Sequence, residues 1–330
     1  MQKRKGECHL NAKKVSVLGC GRWGSFLAWY AARQGHDVTL WGRPGSANLR
    51  QFRETGRSDL MTLPASVALT DDLEAAAAHG EIIIISISSQ QLRGFLRQLK
   101  PLLPAGTPLV LCMKGLEEGT GCRLTQIVAQ ELPGTPCAVW VGPGHVQDFT
   151  QGHPNCMVVD SLNEDLKEAV VDAFGGDLIR FYYGTDLIGN EVGAAAKNVV
   201  GIAAGVLDGL ERSSLKGALM ARGAREVARL ILAMGGNEIT AYGLAHLGDY
   251  EATVFSPYSH NRAYGEALAR GQEFRGLAEG VATARSMLEL SRQYGVELPI
   301  CEAVCRAVCG GEAPGDVLAG LFLRDRKREF

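Results

Sequence analysis

The stretch that most constrains what this chain can fold into is residues 15–43, VSVLGCGRWGSFLAWYAARQGHDVTLWGR. An apolar β-branched run meets three glycines, Gly19, Gly21 and Gly24, and passes straight into an apolar segment with helical spacing. Gly19 permits a tight turn, Gly21 lets backbone come close to a pyrophosphate, and Gly24 lets helix and strand pack together, with the helix N-terminus facing the anion. Three glycines at this spacing are weak evidence alone. A preceding strand, a following helix and a second strand ending near Trp41 make them informative, and Arg22 and Trp23 within the turn join the glycines as candidate cofactor-binding residues. An acid that binds ribose is expected about 20 residues on. The second strand instead ends in WGRPG, with Arg43 and no acid. An arginine there accepts a 2′-phosphate, so the expected cofactor is NADP or NAD; the bland reading of Arg43 is a solvated loop charge.

The pattern of the glycine turn extends through the first half of the chain. From Lys14 to about Arg180, KVSVLG, DVTLWG, EIIIISIS, PLVLCMKG, CAVWVGP, CMVVD and LIRFYY alternate with helix-length segments. Strands so separated pair in parallel through crossover helices, which predicts a doubly wound α/β (Rossmann) sheet. After Asp186 alanine, leucine and glycine take over at helical spacing, which predicts a mostly α-helical second domain. The expected division is a loose leader over 1–13, a dinucleotide-binding domain over 14–187 and a helical substrate domain over 188–330, with a cleft between domains as the expected ligand site.

Composition narrows the partners. With 34 Lys+Arg against 36 Asp+Glu the net charge is -2, and no basic stripe offers a nucleic-acid footprint, which leaves small molecules. Nine scattered cysteines without a secretory signal argue against a disulfide framework and for a reducing, cytoplasmic setting. Cys301, Cys305 and Cys309 share a helix face, but without a nearby histidine they read as small packing residues, and no metal site is expected. The N-terminal MQKRKGECHLNAKK lacks the apolar centre of a signal peptide, and the IIIISI run is far too short to span a bilayer, so no membrane span is expected.

Residues 190–210, NEVGAAAKNVVGIAAGVLDGL, place one lysine, Lys197, in an apolar helical run. Such a lysine loses hydration and needs a partner, a route to water or a chemical task. Desolvation among Val199, Val200 and Ile202 would lower its pKa toward the range useful for proton transfer. The structural alternatives are snorkelling to the surface or pairing with Glu191.

Five blocks in order, the glycine turn, MKG at 113–115, GPGH at 142–145, AAAKN at 194–198 and GLAHLGDYEATVFSPYSHNRAYG at 243–265, resemble the NAD(P)-dependent glycerol-3-phosphate dehydrogenase family from about residue 14 to 310. The resemblance implies an oxidoreductase that moves a hydride between NAD(P)H and dihydroxyacetone phosphate to give sn-glycerol 3-phosphate. It implies Lys197 as general acid/base, Lys114 as a lysine touching both cofactor and substrate, and Asp249 as the acid that binds substrate or orients the lysine. Gly142 and Gly144 would border the substrate and Val146 the nicotinamide. Asn198, Thr253, Ser259, His260, Asn261 and Arg262 complete the implied substrate set; His260, Leu277 and Glu279 are further implied contacts of the cofactor. Helix capping is the alternative reading of Asp249.

The chain also departs from that pattern. SHN at 259–261 stands where the family reads Ser, Arg, Asn, so His260 replaces the arginine that holds the substrate phosphate. Losing a charge-assisted contact weakens binding by about 1.5 to 3 kcal/mol, and Arg262 is the nearby candidate to compensate. Gly144 stands where the family usually has Ser or Thr, and Ser213 and Ser214 replace a glycine and asparagine before the next helix. Two other readings stay open: a related reductase acting on a different phosphorylated ketone or hydroxyacid, and a non-catalytic NAD(P)-binding regulatory protein. Oligomeric state stays open too, although a helical second domain often supplies a homodimer surface.

Overall fold

The structure is a computed structural model and describes residues 12–325 and 328. Most of the expected leader, with Cys8, lies outside the described residues. The chain divides into two compact units, each built from three segments. The first comprises Met1–Met113, Thr125–Trp140 and Val146–Tyr183; the second comprises Lys114–Leu124, Val141–His145 and Gly184–Phe330.

Eight strands form one sheet: β1 (Lys14–Leu18), β2 (Asp37–Trp41), β3 (Ala68–Thr70), β4 (Ile82–Ile85), β5 (Leu109–Leu111), β6 (Cys137–Val141), β7 (Asn155–Ser161) and β8 (Ile179–Tyr183). Their order is β3-β2-β1-β4-β5-β6-β7-β8, so the chain reverses direction across the sheet between β1 and β4, the switch point at which such sheets bind ligands. The pairings of β1 with β2 and β4, of β2 with β3, of β5 with β4 and β6, and of β7 with β8 are parallel. Both faces are covered, and for that reason β4 is four consecutive buried isoleucines rather than an alternating run. Ile82 and Ile84 face a core that includes Val15, Val17, Phe26, Tyr30 and Trp140. Each such side chain contributes roughly 1.5 to 3 kcal/mol. Seven of the eight strands coincide with the β-branched runs; β3, only three residues long, carries no such run.

The helices of the first unit are α1 (Arg22–Arg33), α2 (Ala47–Thr55), α3 (Leu73–His79), α4 (Leu92–Leu99), α5 (Leu124–Glu131), α6 (Val146–Thr150) and α7 (Glu164–Phe174). The second unit is organised on α8 (Leu187–Gly209), with α9 (Lys216–Ala233), α10 (His260–Ala269), α11 (Glu279–Tyr294), α12 (Pro299–Gly310) and α13 (Pro314–Phe322). Asp186 caps α8, accepting from the Gly189 amide at 3.0 Å, from the Asn237 amide at 2.9 Å and from the Thr240 hydroxyl at 2.8 Å. α8 is long and apolar enough to span a membrane by length and composition, yet 78% of its most apolar window is buried within the protein. It packs on α10 almost backbone to backbone: a Cβ on Gly205 would fall 1.9 Å from the Arg262 carbonyl oxygen, and one on Gly265 would fall 2.0 Å from that of Ile202. Cys301, Cys305 and Cys309 lie along α12, and the Cys301 thiol donates to the Ala284 carbonyl at 3.4 Å. All eight cysteines among the described residues are free.

Candidate active site

In the first unit, β1 ends at Leu18 and Gly19 turns the chain with φ +127°; a Cβ there would lie 2.1 Å from the Ser86 carbonyl oxygen. A Cβ on Gly24 would lie 1.8 Å from the Gly19 carbonyl oxygen, so only glycine lets α1 seat this closely on the turn. Gly21 has open space where a Cβ would be. It is also the N-cap of α1, with no side-chain cap and no acid in the first turn, a helix N-terminus whose dipole suits an anion. These features fit the pyrophosphate of a dinucleotide. Arg22 is exposed at the start of α1, and Trp23 packs against Phe26 with ring centroids 5.0 Å apart. Val146 begins α6 and is 2% exposed, inside the same core as Phe149.

After β2, Arg43 is exposed, and its side chain makes no hydrogen bond or ion pair among the described residues. From Asp37 the chain carries no further acid until Glu54, so nothing in that stretch can accept from a ribose hydroxyl as a carboxylate would. A small hollow of about 200 Å³ opens between Ser46, Arg50 and Arg53, with Arg53 paired to Asp71 at 2.7 Å. Arg50 and Ser46 were not singled out from the sequence. Three arginines at 43, 50 and 53 in a stretch free of acids were the available signal.

In the second unit, both catalytic candidates from the lysine set converge on one carboxylate. Lys197 Nζ donates to Asp249 Oδ2 at 2.8 Å and to Thr253 Oγ1 at 2.8 Å. Lys114 Nζ donates to the same Asp249 oxygen at 2.5 Å and to the Gly142 carbonyl at 2.7 Å. Thr253 in turn donates to the Asp249 carbonyl at 2.8 Å, so its hydroxyl must accept from Lys197. Each ammonium therefore keeps one hydrogen unassigned. Asp249 Oδ1 is buried and has no hydrogen-bond partner, which leaves the carboxylate one acceptor in reserve. Lys197 is 8% exposed, and burial pulls its pKa from 10.5 to about 8; Asp249 pushes it back up and the neighbouring Lys114 pushes it down again. Glu191 does not pair with Lys197; it is bound by Arg123.

The frame around this cluster includes residues the sequence reading missed. His246 Nδ1 donates to the Gly193 carbonyl at 2.8 Å, which makes Nε2 the acceptor of the Tyr250 hydroxyl at 2.7 Å. Burial lowers the His246 pKa to about 4, so the ring is neutral and its tautomer is set by these two bonds. His246 and Tyr250 flank the short 3-10 turn Leu247–Asp249 and tie it to α8. No spacing rule marks them, because a histidine four residues before a tyrosine is ordinary until both are buried.

Asn198 donates to the Lys114 carbonyl at 3.4 Å and accepts from Asn261 at 3.0 Å, while Asn261 accepts from the Gly280 amide at 3.0 Å. A chain of amides thus joins α8, α10 and the start of α11. Ser259 caps α10 by accepting from the Arg262 amide at 3.3 Å. His260 is the exposed first residue of that helix, its ring 6.4 Å from that of Phe274. The Arg262 guanidinium is engaged by Asp208 at 2.7 Å, Glu266 at 3.3 Å and the Ser256 carbonyl at 3.1 Å. Lys216 and Ser213 bind the same Asp208, each at 2.7 Å, which gives the serine at 213 a structural account. Gly142 and Gly144 have φ of +132° and +154°, conformations that disfavour the Ser or Thr expected at Gly144. Glu279 begins α11 and its carbonyl accepts from Thr283, while Leu277 is 61% exposed.

Comparison with known proteins bears on this arrangement. Residues 14–167 match the family described as NAD-dependent glycerol-3-phosphate dehydrogenase N-terminus, and residues 186–319 match its C-terminus. The chain is 37% identical to glycerol-3-phosphate dehydrogenase [NAD(P)+] 2 of Salinibacter ruber over 96% of each chain. It is 39% identical to the glycerol-3-phosphate dehydrogenase of a Bradyrhizobium species, covering 96% of this chain and 98% of the relative. Among solved structures, a glycerol-3-phosphate dehydrogenase from Coxiella burnetii superposes with a TM-score of 0.89 at 29% identity, covering 95% of this chain and 99% of that one. The chain belongs to the NAD-dependent glycerol-3-phosphate dehydrogenase family and is an NAD(P)-dependent oxidoreductase.

Proposed function

We propose that the chain reduces dihydroxyacetone phosphate to sn-glycerol 3-phosphate at the expense of NADPH or NADH, with Lys197 giving the proton. The observation that carries this is a buried ammonium held by Asp249 and Thr253 with its pKa drawn to about 8. When bound, the nicotinamide cofactor supplies the hydride that reaches the carbonyl carbon. Lys197 gives its unassigned hydrogen to the carbonyl oxygen and is left as a neutral amine; in the reverse direction it takes the alcohol proton back. Asp249 fixes the direction of the ammonium, and Thr253 holds a second of its hydrogens. Lys114, anchored by Gly142 and Asp249, offers its third hydrogen to the same developing oxyanion. Two ammoniums on one carboxylate leave a single positive charge, which favours an anionic substrate. Gly19, Gly21 and Gly24 with the α1 amides would hold the pyrophosphate, and Arg43 would hold a 2′-phosphate where one is present.

His260 favours a second substrate reading within the same chemistry. With Arg262 committed to Asp208, no guanidinium at 260–262 is left uncommitted for the phosphate, so a ketone with a weaker demand for that contact also suits the site. A binding protein without turnover suits it less, since it has no need of a buried acid/base shared with a second lysine. Free thiols support a reducing, cytoplasmic setting, and a homodimer is the assembly proposed. Oxidation of NADPH and NADH by the purified protein with dihydroxyacetone phosphate, beside Lys197→Met, tests the proposal. The variant should keep cofactor binding and lose turnover by about 10²- to 10⁴-fold. A wild-type protein that binds cofactor yet oxidises neither one with this substrate would refute it.

A further inference from the structure

Away from the lysine cluster, the second unit contains a cavity of about 940 Å³. That is at the upper end of the roughly 300 to 1,000 Å³ typical of small-molecule sites. Its walls come from α8, α9, α12 and α13, and its interior is apolar: Val206, Leu219, Ile300, Val304, Val317 and Leu321 all line it. Its charged lining is unbalanced, with five arginines against three acids. The acids are largely spoken for. Glu297 pairs with Arg324 at 3.1 Å, and Glu226 is turned onto the Ile300 and Cys301 amides at 2.8 and 3.0 Å. Of the arginines, Arg225 is held by Glu238 and Arg229 by the Glu297 carbonyl. Arg222 is exposed and makes no hydrogen bond or ion pair among the described residues.

We infer that this cavity binds a single-chain amphiphile with an anionic head, a long-chain fatty carboxylate, its alkyl chain in the apolar interior and its carboxylate on Arg222. The argument is charge complementarity joined to shape. An apolar interior of this size takes up an alkyl chain, and an excess of cations that includes the uncommitted Arg222 guanidinium selects an anionic end over a neutral one. A second copy of the chain would need a complementary apolar projection with acids around it. A free carboxylate needs only a chain that fits. The inference stands on the cavity alone and does not depend on the reaction at Lys197.

The test is calorimetric titration of the full chain with octanoate, decanoate and dodecanoate below their micelle concentrations, beside dodecanol. Binding should be saturable at one site per chain and tighten about tenfold or more for each added pair of methylenes. Dodecanol should bind at least tenfold more weakly than dodecanoate. Arg222→Glu, on an exposed position, should weaken dodecanoate at least tenfold while leaving the chain-length dependence intact. Ala303→Trp should abolish binding by filling the cavity; circular dichroism would establish that this variant is folded. An affinity independent of chain length, equal binding of dodecanol, or unchanged binding in both variants would each overturn the assignment. So would a wild-type dimer that neither binds dodecanoate nor survives Ala303→Trp in sedimentation velocity, since the cavity would then be a subunit interface.

Discussion

At the scale of single residues, Lys197 is governed by opposed effects. Burial disfavours its charge, Asp249 restores it and Lys114 takes part of it away, with a pKa of about 8 as the outcome. The sign of the kinetic consequence follows. In the proposed reaction ketone reduction draws its proton from the ammonium, so its rate should be flat below pH 8 and fall about tenfold per unit above it; alcohol oxidation would draw on the amine and should fall toward lower pH. A reduction rate unchanged from pH 7 to 10 would mean that another group supplies the proton. His260→Arg is the complementary change. Restoring a guanidinium at the start of α10 should lower KM for dihydroxyacetone phosphate by roughly ten- to a hundredfold with little effect on kcat. An unchanged KM would show that the phosphate is held by other means. Lys197 could be singled out from sequence because a lone charge in an apolar run is anomalous by itself. The His246–Tyr250 pair and the Arg123–Glu191 pair could not, because their significance lies in burial and in partners up to 68 residues apart.

At the scale of elements, the seam between α8 and α10 decides whether Asn261 can reach Asn198. Gly205→Ala adds a methyl 1.9 Å from a backbone oxygen, which cannot move aside as a side chain would. The variant should lose about 1 to 3 kcal/mol despite alanine's better helix propensity, with KM rising more than kcat falls. Gly217→Ala on α9, where a Cβ meets nothing within 4 Å, should instead gain about 0.5 to 1 kcal/mol. Urea denaturation of the two separates steric exclusion from propensity; equal effects would rule out a close-packed seam. The N-terminus of α12 supplies a different case. Leu298 offers it no side-chain cap, so the buried Glu226 carboxyl serves, and burial raises its pKa from 4.5 to about 7. A raised carboxyl contributes stability that is complete below pH 4.5 and is lost as pH rises through 7. The loss is of the order of 3 kcal/mol. Glu226→Gln should remove that part of the pH dependence, and parallel stability curves for the two proteins between pH 5 and 8 would contradict it. Elements were legible where their hydrophobic period was long. Seven strands and the helical second half follow from runs of apolar residues, whereas β3, with three residues and little burial, is fixed by its pairing to β2.

At the scale of the whole molecule, the chain passes between its two units more than once, and this sets what can fold alone. A cut near residue 187 looks natural from sequence, where the strand rhythm stops and the C-terminal family match begins at 186. The second unit, however, also contains Lys114–Leu124 and Val141–His145. Those segments bring Arg123 to Glu191, whose side chain is only 4% exposed, and Lys114 with its Gly142 anchor to Asp249, at 1%. A fragment starting at residue 184 would bury Glu191 without its cation and leave Asp249 with one ammonium in place of two. Removing one partner of a buried pair costs about 3 to 5 kcal/mol, a large share of the roughly 5 to 15 kcal/mol that holds a domain together. The fragment should therefore show helical far-ultraviolet dichroism but no cooperative thermal transition. Arg123→Met in the full chain should unfold cooperatively and about 3 to 5 kcal/mol more easily than wild type. A fragment that melts sharply, with fixed near-ultraviolet dichroism, would show that the two inserted segments are not needed to stabilise the helical unit.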